Sequence, residues 1–140
     1  MQSKKTSYGF IIKVEPGEEI HQVLSKVCQA NNITSGFLTG IGAVQAVELG
    51  YFYTQHNQYQ FKKINQALEI VSLSGNIALV EDKPMVHLHG VFGDENFHVV
   101  AGHIKSATVS VTGELCLITD DTTVKRLTDE KTGLKLWDLE

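Results

Sequence analysis

Val86-His87-Leu88-His89-Gly90-Val91-Phe92-Gly93-Asp94-Glu95-Asn96-Phe97-His98-Val99-Val100-Ala101-Gly102-His103-Ile104 reads as two β-type runs around one short polar turn. Runs at about 85–92 and 97–104, parted by a loop at 94–96, predict an antiparallel hairpin, because only antiparallel neighbours can be joined by so few residues. His87 and His89 then point to one face, roughly 7 Å apart along the strand. The return of the chain places His103 opposite His87, so three imidazoles converge. His98 differs from His103 in strand parity and faces the other way.

Outward from this hairpin the same signals recur. Residues 8–14 form a β-rich run ending at Glu15-Pro16-Gly17, and Ile20, Val23, Leu24, Val27 and Cys28 then repeat at helical spacing. Glu18 and Glu19 sit where a helix dipole favours negative charge, which predicts a helix over about 18–30, closed by Asn31-Asn32. Between Ile33 and Tyr53, Gly36, Gly40, Gly42 and Gly50 lie among β-type residues and predict bulges or close backbone packing, with a bend near Gly40-Ile41-Gly42. The stretch Ala67–Val80 is β-rich, with a bulge or bend expected at Ser74-Gly75-Asn76 and a turn at Glu81-Asp82-Lys83-Pro84. A further run follows at 107–119, then a turn at Asp129–Gly133 and a last strand at 134–137. One helix and seven or so later strands, without βαβ alternation, predict an α+β fold with a largely antiparallel sheet. No repeat or linker divides residues 1–140, so a single domain is expected.

Composition narrows the function. Sixteen acidic against twelve basic residues give a net charge of −4, and Arg126 is the only arginine, so independent DNA binding is disfavoured. Cys28 and Cys116 have no CxxC partner and read as buried thiols of a reducing cytoplasm. No apolar run approaches the roughly 20 residues that span a bilayer, so no membrane role is expected. No phosphate-binding or dinucleotide-binding glycine pattern is present.

Three imidazoles with an open fourth position suit zinc, and cobalt, nickel or copper by ligand type. His21, His56 and His98 read as ordinary surface or hydrogen-bonded residues. A metal hydrolase would need a carboxylate base, for which Glu48, Glu69 and Asp94 are candidates by neighbourhood alone.

Several blocks together resemble the plant and prokaryote conserved (PPC) domain family: Thr39-Gly40-Ile41-Gly42-Ala43, Leu49-Gly50-Tyr51, Leu68-Glu69-Ile70 through Leu73-Ser74-Gly75, His87-Leu88-His89, Gly102-His103 and Thr132-Gly133-Leu134. The resemblance implies a homotrimeric α+β domain with a metal site, in some prokaryotic members, at histidines matching His87, His89 and His103. It also implies a DNA-associated or assembly role as an alternative, since in plants the domain follows AT-hook motifs and contacts transcription factors through a segment matching about 67–72. Here the first residue of that segment's arginine-containing hexapeptide is not reproduced, and the Gly-Arg-Pro core of an AT-hook is missing.

Overall fold

The computed structural model describes residues 1–140. Its elements are β1 (Gln2–Thr6), β2 (Gly9–Val14), α1 (Ile20–Ala30), β3 (Gly36–Tyr53), β4 (Gln58–Ile64), β5 (Leu68–Val80), β6 (Lys83–Gly93), β7 (Val99–Ile118), β8 (Lys125–Thr128) and β9 (Lys135–Asp138). All strands join one sheet in the order β1-β2-β7-β3-β5-β8-β9, with β4 on β3 and β6 bridging β5 and β7. Every pairing is antiparallel except the single β5–β8 contact, Leu79 with Lys125. Because β3 pairs both β5 and β7, and β6 pairs the same two strands, β7, β3, β5 and β6 close into a ring.

The expected number of strands after the helix is present, but their boundaries differ. The runs at 97–104 and 107–119 are one 20-residue strand, β7, and an extra strand, β1, precedes the run at 8–14. β3 and β7 stay continuous because register shifts between Gly40 and Gly42, Gly42 and Val44, Val44 and Ala46, and Glu48 and Leu49 bend them instead of ending them. Gly42 sits at φ 150°, where a Cβ would lie 2.2 Å from the Thr112 carbonyl oxygen. The expected bend there is present.

No bulge occurs at Ser74-Gly75-Asn76, which pair in even register with His89, Leu88 and His87. Gly75 serves a close approach instead, since its Cβ would fall 2.1 Å from the His87 carbonyl oxygen. The turn between β5 and β6 has only two central residues, Glu81 and Asp82, at φ 50° and 60°, the pattern of a type I′ hairpin.

The helix buries Ile20, Val23, Leu24, Val27 and Cys28, which join strand residues in one cluster of 24 buried apolar side chains. Alternation therefore sends Leu88, Phe92 and Ile104 into this core and leaves their neighbours on the outer face. Glu19 caps α1: its carboxylate accepts from the backbone N–H groups of His21 and Gln22 and, across the interface, of Ala107 in β7. Against the opposing effect of burial, a contact with the His21 ring at 3.3 Å and then these backbone bonds hold its pKa below the ordinary carboxylate value.

Candidate metal centre

β6 and β7 place the trio. The turn between them runs through residues 94–98, longer than expected, because the Asp94 carboxylate accepts from the N–H groups of Asn96 and His98 and contacts the His98 ring at 3.2 Å. The longer turn shifts the ladder by two residues, so His103 stands opposite His89, and His87 lies two residues further along β6. A shift of two keeps parity, and all three rings remain on the outer face. His98 belongs to the turn, not to a strand, and is exposed.

The ring centroids of His87, His89 and His103 are 5.1, 5.1 and 5.4 Å apart, and one nitrogen from each lies within 4.8 Å of the others. A tetrahedral ion with bonds near 2.1 Å spaces its nitrogens by about 3.4 Å, within reach of small ring rotations. His103 Nδ1 is buried and has no hydrogen-bond partner, an expensive state that a metal bond would relieve. Burial, with the neighbouring imidazoles as a lesser cause, lowers the pKa of both His87 and His103 to about 4. Both rings are therefore neutral at pH 7, the form that ligates metals.

Around the trio lie two features not legible in the sequence. Tyr59 of β4 packs its ring 5.0 Å from that of His103 and stacks on Phe61, where Gly50 leaves the space: a Cβ there would be 2.7 Å from Phe61. On the His87 side, Arg126 of β8 donates to the Lys135 carbonyl at 2.6 Å and to Asn76 Oδ1 at 2.7 Å, and stands 3.3 Å from His87 Nδ1. The sole arginine is 7% exposed and lies over the Trp137 ring at 5.7 Å.

The three carboxylates considered for a base do not join the cluster. Glu48 bonds Lys105 at 2.9 Å, Asp94 holds its turn, and Glu69 is an exposed residue of β5 paired with Gly93 and Ala43. His21 contacts Glu19, and His56 lies exposed beyond the end of β3. Cys28 is buried as expected, whereas Cys116 is half-buried because it lies on the outer face of β7. No helix is long and apolar enough to cross a membrane.

The model of the Plants and Prokaryotes Conserved (PCC) domain matches residues 1–120. The chain belongs to that family. Among solved structures, a Bacteroides thetaiotaomicron protein provisionally named for DNA binding is 28% identical with a TM-score of 0.95, over 98% of this chain and 96% of that one. A metal-containing protein from Archaeoglobus fulgidus is 29% identical with a TM-score of 0.85, over 98% and 99%. A plant- and prokaryote-conserved protein from Pyrococcus horikoshii is 26% identical with a TM-score of 0.87, over 98% and 94%. No curated protein matches the chain. In this PCC chain β8 and β9 lie beyond the matched residues, and Arg126 comes from that part.

Proposed function

We propose that this PCC protein is a cytoplasmic homotrimer of single-domain chains, each binding one divalent metal, zinc first among the candidates, through His87, His89 and His103. The fourth position is left to a small ligand. The convergence of three imidazole nitrogens within 4.8 Å, with no carboxylate among them, carries the reading. The orphaned His103 Nδ1 and the metal content of the Archaeoglobus relative support it. Zinc would supply Lewis acidity and a fixed charge at this place.

Self-association is supported by an apolar outer face. Ile11, Phe37, Ile41, Val111 and Ile118, on β2, β3 and β7, are each at least half exposed. Patches of that kind mark partner surfaces.

Metal content by mass spectrometry on untagged protein tests the site, with a His87→Ala, His89→Ala double variant as comparison. About one ion per chain, lost in the variant, is expected; no ion in either protein overturns the reading.

A DNA-associated module is the second reading, motivated by the name of the Bacteroides relative. Against it stand the net charge of −4 and the burial of Arg126, which leaves no arginine for phosphate or base contacts. Fluorescence anisotropy with duplex DNA decides: steeply salt-dependent binding supports the module, and none at low salt sinks it.

A further inference from the structure

Strands β8 and β9 form a two-stranded arm that is fastened to the body at few points. They pair with each other along their length, while the bridge to the main sheet is the single pair Leu79 and Lys125. Among the other ties are the Leu79 N–H to the Val124 carbonyl at 2.8 Å, Asn57 Nδ2 to the Lys131 carbonyl at 2.6 Å, and the edge of Phe37 against Trp137. Ile77, Phe37 and Ile118 of the body and Val124, Trp137 and Leu139 of the arm line a cavity of about 300 Å³, so the two surfaces do not close on one another. A two-stranded ribbon has little stability of its own, and the arm therefore depends on its ties.

Arg126 makes the tie nearest the histidines. Its guanidinium donates to Asn76 Oδ1 and His87 Nδ1 of the body and, within the arm, to the Lys135 carbonyl. An arginine N–H can only donate, so Nδ1 must offer its lone pair, and a neutral imidazole has only one. The proton of that ring is then on Nε2. Ligation of His87 through Nδ1 uses the lone pair itself; ligation through Nε2 leaves an N–H at Nδ1, facing the guanidinium donor. Both modes break the bond to Arg126. Metal-binding histidines ordinarily turn their second nitrogen toward an acceptor, whereas the neighbour of His87 is a donor and a cation.

Charge acts in the same direction. Arg126 is almost fully buried, none of the ion pairs in the protein includes it, and a divalent ion on three neutral imidazoles brings a further positive charge beside it. Like charges repel most strongly where water is excluded.

We propose that the β8–β9 arm is a latch on the histidine site: Arg126 docks the arm onto metal-free His87, and metal at the trio releases it. The proposal rests on the metal reading above and adds its regulation. By linkage, metal and docking weaken each other by the same factor, so loosening the arm raises metal affinity.

Trp137 is the only tryptophan in the chain and lies in the arm against Phe37 and Arg126, so its fluorescence reports docking. Full-length protein is titrated with zinc, affinity being read against a competing chelator and Trp137 emission with and without acrylamide. In the wild type, zinc should red-shift Trp137 and increase its quenching. Arg126→Met should bind zinc about tenfold more tightly, as expected for removal of a charged donor and its repulsion. Asn57→Gly keeps the left-handed turn at φ 48° and leaves Arg126 and the histidines intact, but drops the bond to Lys131. It should tighten zinc binding about threefold, the worth of one exposed hydrogen bond. Zinc uptake by the wild type with Trp137 unmoved overturns the latch whether or not either variant folds. So does a folded Arg126→Met or Asn57→Gly protein that binds zinc no more tightly than the wild type. A wild type that takes up no zinc defeats the metal reading, and the latch with it.

Discussion

Replacing Gly75 by alanine should disturb the histidines without altering any of their side chains. The added Cβ would stand 2.1 Å from the His87 carbonyl oxygen and 2.7 Å from Leu88 Cδ2. The first distance is more than 1 Å inside ordinary contact at about 3.5 Å. Because the obstacle is backbone, β6 must move away from β5 or both must twist. Over-packing of this kind costs about 1–3 kcal/mol, which for a chain of this size lowers Tm by about 3–10 °C. The same movement carries His87 and His89 by a distance several times the roughly 0.2 Å within which metal bonds are held, so zinc affinity should fall at least tenfold. Thermal melts of metal-free protein measure the first effect, and zinc titration against a competing chelator measures the second. Glu69→Ala, an exposed change on the same strand, serves as the control and should stay within about 0.5 kcal/mol of wild type. A Gly75→Ala protein that melts and binds zinc like the wild type would refute the close-approach argument.

Two further outcomes follow from the titrating groups. Glu19→Gln should destabilise the protein by about 1–3 kcal/mol at pH 7 through the loss of charge-assisted bonds to three backbone N–H groups. Since folding lowers the Glu19 pKa, this contribution is present above the unfolded carboxylate value near 4.5 and is lost as pH falls through the lowered one; urea melts at pH 7 and pH 3 should show the difference shrinking. His87 and His103 in metal-free protein should remain neutral until about pH 4, seen as late-titrating ring signals by NMR. Their folded pKa values are depressed, so the unfolded chain binds more protons below about 6.5, and stability should decline as pH falls from there toward 4.

The hairpin that carries the histidines was legible because strand parity is a local property: alternate residues share a face whatever the register. The register itself was not, because Asp94 lengthens the turn through bonds that composition does not announce, and His103 therefore faces His89. Helix α1 could be read from its apolar spacing, yet the reach of Glu19 to Ala107 spans 88 positions of sequence. β4 and β8 escaped notice for a different reason. Residues 58–64 are mostly exposed, so no buried face imposes an apolar alternation, and β8 is only four residues long. Arg126 was singled out as the only arginine, but nothing in the order of residues indicated that it would be buried beside His87.

The ring formed by β7, β3, β5 and β6 has a bearing on mispairing. In an open sheet a terminal strand can slip along one neighbour, but β6 is held by two ladders whose own strands are joined through β3. A one-residue slip would have to occur in both ladders at once, and it would turn Leu88 outward and drive His87 and His89 into the apolar interior. Two neighbours thus proofread the placement of β6, and a mispaired chain would bury two imidazoles in the core while the outer face lost its site.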